Sequence, residues 1–156
     1  MQVEKCLEEI DSEIGLIDKL FESHQLLFEK IKISEPDTVE LSATAAVLHS
    51  FYNGLENIFC RIAKRIDENL PNSSYWHQEL LNQMSNKIKN RPEVITIDLN
   101  EKLSFYLGFR HFFRHAYAFQ LKWSEMKKLV IEIDAVYEQF KSELQLFKLK
   151  IKNYGT

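Results

Sequence analysis

An all-α fold is predicted for this 156-residue chain by three features. Apolar residues recur in alternating steps of three and four over long stretches. Glycine and proline are scarce, at 4 and 3 residues, fewer than a turn-rich β architecture needs. Leu, Glu, Lys and Ile dominate what remains, and these suit helices or their packed faces. With 45% apolar and 28% charged residues, the chain has the balance of an ordinary globular protein, and a single domain over 1–156 is expected. The expected architecture is an up-and-down bundle of about five helices.

The elements follow in order. Val3, Leu7, Ile10, Ile14, Ile17 and Phe21 form a heptad seam that continues through His24, Phe28 and Ile31, predicting a first helix over about 2–32. Ser34-Glu35-Pro36-Asp37 breaks it, because Pro36 disfavours helical geometry at the residue before it. Leu41, Leu48, Phe51, Leu55, Ile58, Ile62 and Ile66 share one face of a second helix over about 38–69, which Leu70-Pro71-Asn72-Ser73 ends. Ser73 or Ser74 caps a third helix through about Lys89, carrying Trp76, Leu80, Leu81, Met84 and Ile88. Residues 90–100 lack helical period and are expected as a loop with room for a short extended piece. Asp98 or Asn100 then caps the fourth helix, which runs through Leu103, Phe105, Tyr106, Leu107, Phe109 and Phe112 towards Tyr117. From about 123, Met126, Val130, Ile133, Tyr137, Phe140, Leu144, Phe147 and Ile151 repeat the four-three alternation in a closing helix.

Several classes are excluded. No apolar run approaches the roughly 20 residues that cross a bilayer, and the N-terminus alternates apolar with acidic positions, so a cytoplasmic protein without membrane contact is expected. Cys6 and Cys60 lie in helical patterns without close Cys/His spacing, and are expected as small buried groups rather than disulfide or metal ligands. No cofactor is expected. Charge is unevenly spread: residues 1–100 carry 10 Lys/Arg against 17 Asp/Glu, and residues 101–156 carry 10 against 6. A polyanionic partner should therefore meet the C-terminal third. Lys122, Lys127, Lys128, Lys148, Lys150 and Lys152 there form either a solvated face or a track for RNA.

The segment Gly108-Phe-Arg110-His111-Phe112-Phe113-Arg114-His115-Ala116-Tyr117 departs from core-helix composition. Its two Arg-His pairs sit four residues apart, so Arg110 and Arg114 share one helix face while His111 and His115 share the next. Arg110 and His115 are separated by about 140° on an ideal helix at about 100° per residue. Their convergence on one substrate needs a helix that ends near His115, or a second copy of the chain. The structural alternative for Arg110 and Arg114 is a salt-bridged face, with Glu56 as a partner. His111 and His115 could share a cation, but no third ligand is evident. Asn53 and Glu56 interrupt the apolar pattern of the second helix, and either orient Arg110 or His115 or face solvent. His24 is expected as a core or interface histidine, and His49 and His77 carry no motif.

Arg110-(x4)-His115-x-Tyr117 resembles the Arg-x(4–6)-His-x-Tyr signature of HepT-like ribonuclease toxins of the all-helical HEPN superfamily. Tyr52-Asn53-Gly54-Leu55-Glu56 with Ile62-Ala63, and Arg91-Pro92 before the motif helix, extend the likeness over most of the chain. The resemblance implies a homodimeric, metal-independent endoribonuclease acting on tRNA or mRNA, paired with an MNT-type nucleotidyltransferase antitoxin. It assigns catalysis to Arg110 and His115, and makes Tyr117 the hydroxyl that the partner modifies with AMP. His111 and Arg114 would support, and the division of labour between His111 and His115 stays open. The chemistry is compatible: imidazole near its ordinary pKa of about 6.5 transfers protons, and a guanidinium fork meets the charge growing on phosphoryl oxygens. With no metal cluster in the sequence, the nucleophile would be the 2′-OH of RNA. The rival is a non-catalytic helical module that docks a nucleotidyltransferase or binds nucleotide.

Overall fold

The computed structural model describes residues 2–154. Six α-helices follow one another: α1 (Gln2–Ser23), α2 (Gln25–Ile33), α3 (Thr38–Ile62), α4 (Trp76–Met84), α5 (Ile97–His115) and α6 (Trp123–Ile151). There is no strand among the described residues, and no helix there is long and apolar enough to cross a membrane. The all-α bundle expected from the sequence is the fold observed.

α3 is the central helix. From Ala45 to Ile62 it is buried on most of its sides, and α1, α2, α4, α5 and α6 all pack against it. Its start is fixed by a capping box: the Asp37 carboxylate accepts from the Glu40 amide (2.8 Å) while the Glu40 carboxylate accepts from the Asp37 amide (3.0 Å). Phe51 meets Phe21 of α1, Tyr106 of α5 and Tyr137 of α6 edge-on, with ring centroids 5.7, 5.4 and 5.8 Å apart, so one ring links four helices. α1 approaches α3 closely at Gly54, where an added Cβ would stand 2.6 Å from Cγ1 of Ile17.

Four of the five expected helices differ from the sequence expectation at a boundary. The first helix is two helices, broken at His24 (φ −119°, ψ 15°). The His24 ring Nδ1 lies 2.9 Å from the Leu20 carbonyl, and the His24 amide turns to Phe21 instead, which tightens the turn and re-aims the chain. Phe28 and Ile31 stay buried, so the seam survives the change of direction. The second helix loses α geometry after Ile62, continues as a π-helical turn over Ala63–Asp67, and stops at Glu68 in the left-handed region (φ 55°). The third helix starts at Trp76 with Tyr75 as its N-cap, the Ser73 hydroxyl accepting from the Tyr75 amide (3.0 Å) just ahead of it, and ends at Met84 rather than near Lys89. Its end is set from outside, because the Val94 and Ile95 amides return to the Met84 carbonyl (2.9 and 3.2 Å). The fourth helix is capped by Thr96, whose hydroxyl accepts from the Leu99 amide (3.1 Å), and not by Asp98 or Asn100. Glu143 of α6 holds Thr96 by both its amide and its hydroxyl, which places the cap ahead of both expected positions.

The expected extended piece in 90–100 is a single antiparallel bridge between Ile88 and Arg91. Arg91 is wholly buried and donates to Asp67 (2.6 and 2.8 Å) and to the carbonyls of Asn86, Pro92 and Gln83. A desolvated guanidinium satisfied this fully clamps the α4–α5 connection to the end of the π turn. Cys6 is buried, and burial pushes its thiol up to about 11, whereas Cys60 is half-buried.

Candidate functional site

α5 brings its cationic end against α3 and α4. Phe109 and Phe113 pack parallel to each other (6.0 Å), and Phe113 lies against the His49 ring of α3 (5.1 Å). This apolar seat turns Arg110 inward. Its Nε donates a short hydrogen bond to Oδ1 of Asn53, and its Nη2 lies 3.7 Å from Oε1 of Glu56. Glu56 is 5% exposed, a carboxylate kept in the core by the Arg110 guanidinium and by its hydrogen bond from His77. Its other oxygen, Oε2, takes Nδ1 of His77 from the first turn of α4 at 2.8 Å. Asn53 and Glu56 thus orient Arg110, one of the two roles left open by the sequence, and neither contacts His115.

Donor and acceptor roles in this cluster fix one another. Because Arg110 Nε can only donate, Asn53 must present its oxygen there and its amide nitrogen to His49 Nε2, 3.0 Å away. His49 Nε2 therefore accepts, and the proton sits on Nδ1. That nitrogen is buried without a hydrogen-bond partner, one of three such atoms among the described residues. Burial, with Arg110 and Arg114 nearby, holds the His49 pKa below its ordinary value. The Tyr52 hydroxyl is a second such atom, and burial pushes its pKa up. In His77, Nδ1 donates to Glu56, so the 3.5 Å approach of Arg110 Nη1 to that same nitrogen joins two donors sharing one carboxylate rather than a hydrogen bond.

The remaining motif residues lie at the open end. α5 terminates at His115, and Ala116 is already extended (φ −93°, ψ 146°). His111, Arg114, His115 and Tyr117 are all exposed. The His111 and His115 rings stand 5.3 Å apart, and Tyr117, 71% exposed, stacks parallel on Phe119, 81% exposed (5.6 Å). No hydrogen bond or ion pair joins these four side chains to Arg110 among the described residues. The cluster around Arg110 and the exposed end are thus successive faces of one helix terminus. No group of three His, Cys, Asp or Glu among the described residues could hold a metal ion.

The sequence left His49 and His77 without a role. His49 carried a legible signal, since His49, Asn53 and Glu56 form a polar stripe at steps of four and three on an otherwise apolar helix. His77 carried none, because its partner Glu56 lies 21 residues away and only folding joins them.

Residues 43–151, from α3 to the end of α6, match a family described as HepT-like protein. The chain belongs to the HepT-like family. That places it in the HEPN superfamily, as the Arg110/His115/Tyr117 motif implied. The HepT-like match covers every residue of the Arg110 cluster and leaves α1 and α2 outside. No curated protein and no solved structure matches the chain.

Proposed function

We propose that this HepT-like protein is a metal-independent endoribonuclease, the toxin of a toxin–antitoxin pair, with Arg110 and His115 as its catalytic residues. The observation that carries this is a helix that ends at His115 and presents Arg110, His111, Arg114 and His115 within its last two turns, in a chain of this family. These residues supply charge and proton transfer, which suits a reaction whose nucleophile is the substrate's own 2′-OH. Products would carry 2′,3′-cyclic phosphate ends, and DNA would be untouched. The RNA is tRNA or mRNA by family habit. Exposure of Tyr117 supports its modification with AMP by an MNT-type nucleotidyltransferase, which would set a bulky anion beside His115.

A homodimer is part of the proposal. Ile97, Phe105 and Phe112 are exposed along one face of α5, and nothing lies within 4 Å of where a Gly108 Cβ would be, so a second copy could approach closely there. One observation favours a non-catalytic docking module instead: Arg110 is already engaged by Asn53 and Glu56. The test is cleavage of total RNA in EDTA by unmodified protein, its mass checked for AMP. Discrete fragments that vanish with Arg110→Ala (about a hundredfold or more) and with His115→Ala establish the nuclease. Intact RNA at all protein concentrations leaves the docking module.

A further inference from the structure

We infer that His77 is the proton-accepting base of this site, its Nε2 taking the proton of the nucleophilic 2′-hydroxyl beside the Arg110 guanidinium. The inference rests on the ribonuclease reading above and adds to it a residue from α4 that the motif does not contain.

A base that attacks through one imidazole nitrogen needs the other nitrogen held, a free lone pair, and a cation close by to receive the substrate's phosphate. His77 has all three. Nδ1–H donates to the Glu56 carboxylate at 2.8 Å, which leaves the lone pair on Nε2. Among the described residues Nε2 has no hydrogen-bond partner, and it is not one of the fully buried unpartnered atoms of a side chain that is 25% exposed. The Arg110 guanidinium approaches the ring from its Nδ1 side, to 3.5 Å, and so lies against the imidazole without occupying Nε2. The charged groups that meet His77 are Glu56 from α3 and Arg110 from α5, while Trp76 of its own helix packs against the ring (3.7 Å between centroids). Among the described residues, no hydrogen bond to a carboxylate or an amide orients His115, which stands exposed beside the His111 ring.

Cleavage by 2′-OH attack moves two protons. The O2′–H bond breaks and its proton passes to His77 Nε2 as O2′ bonds to phosphorus. The P–O5′ bond then breaks, and O5′ takes a proton from a protonated His115. Products are a 2′,3′-cyclic phosphate and a 5′-hydroxyl, with no water consumed. Arg110, beside His77, would meet the charge on the non-bridging oxygens.

The deciding variant is His77→Asn, whose side-chain N–H can still donate to Glu56 but carries no titrating lone pair. Single-turnover cleavage of RNA in EDTA is followed from pH 5 to 9 for wild type, His77→Asn and His77→Gly. Expected are a loss of about a hundredfold or more in His77→Asn with its circular dichroism unchanged, loss of the rising acidic limb of the pH–rate profile, and partial recovery of His77→Gly by added imidazole. A His77→Asn rate within about threefold of wild type overturns the inference while leaving the nuclease standing. Wild-type protein that does not cleave overturns both. Nitrogen-15 spectra of the imidazole rings give a readout apart from catalysis: neutral His77 should carry its proton on Nδ1, and a proton on Nε2 instead overturns the inference.

Discussion

Replacing Asn53 with aspartate would put a carboxylate where an amide now separates Arg110 from His49. In the wild type His49 is held neutral, its pKa lowered by burial and by two arginines. The unfolded chain therefore takes up a proton first as pH falls through about 6.5, and stability should decline from there towards the lower folded value. Urea midpoints at pH 7.5 and 5.5 should show this decline, and it should shrink in His49→Gln, whose oxygen can still accept from Asn53. Asn53→Asp should reverse the sign of the His49 contribution, since a carboxylate facing Nε2 favours the protonated ring. An unchanged pH dependence in both variants would show that His49 does not contribute to it. At the exposed end, Phe119→Ala should weaken binding of single-stranded RNA by a few-fold in fluorescence anisotropy without changing stability, because the Tyr117–Phe119 pair offers a flat face to a base.

At the scale of elements, the connection from α4 to α5 depends on one buried ion pair. Asp67→Ala would leave the Arg91 guanidinium desolvated and half-satisfied, and should cost about 3–5 kcal/mol in urea unfolding. Gly54→Val should cost about 1–3 kcal/mol by forcing Ile17 and α1 away from α3. The helices were legible from sequence because each owes its existence to its own apolar period, and that period belongs to the segment alone. Their ends were less legible, because partners distant in sequence set them. Met84 ends α4 through the returning amides of Val94 and Ile95, and Glu143 selects Thr96 as the cap of α5. The same distinction divides the candidate site. Arg110, His115 and Tyr117 form a contiguous pattern, and Asn53 and Glu56 stand out on an apolar helix, whereas His77 joins them only through the packing of α4 on α3.

Across the whole molecule, Phe51 ties α1, α3, α5 and α6 into one core, and Phe51→Ala should cost about 3–5 kcal/mol and shift a single cooperative transition. α1 and α2 lie outside the family match, yet Cys6, Ile10, Ile17, Phe28 and Ile31 belong to that core. Glu9 of α1 also pairs with Arg61 of α3 and Arg65 of the π turn. Deleting residues 1–36 should therefore give protein that aggregates or fails to show a cooperative melt by circular dichroism. If α5 faces a second copy, Phe105→Glu should yield a monomer in sedimentation velocity at concentrations where wild type is dimeric. The Arg91 clamp reaches further than stability. It sits in the only covalent path between the helix carrying His77 and the helix carrying Arg110, so it works as a gauge that sets their span without touching either. Warming that slackens the clamp would let the two groups drift apart while every helix is still formed, and the chemistry of the site would then have its own, lower melting point.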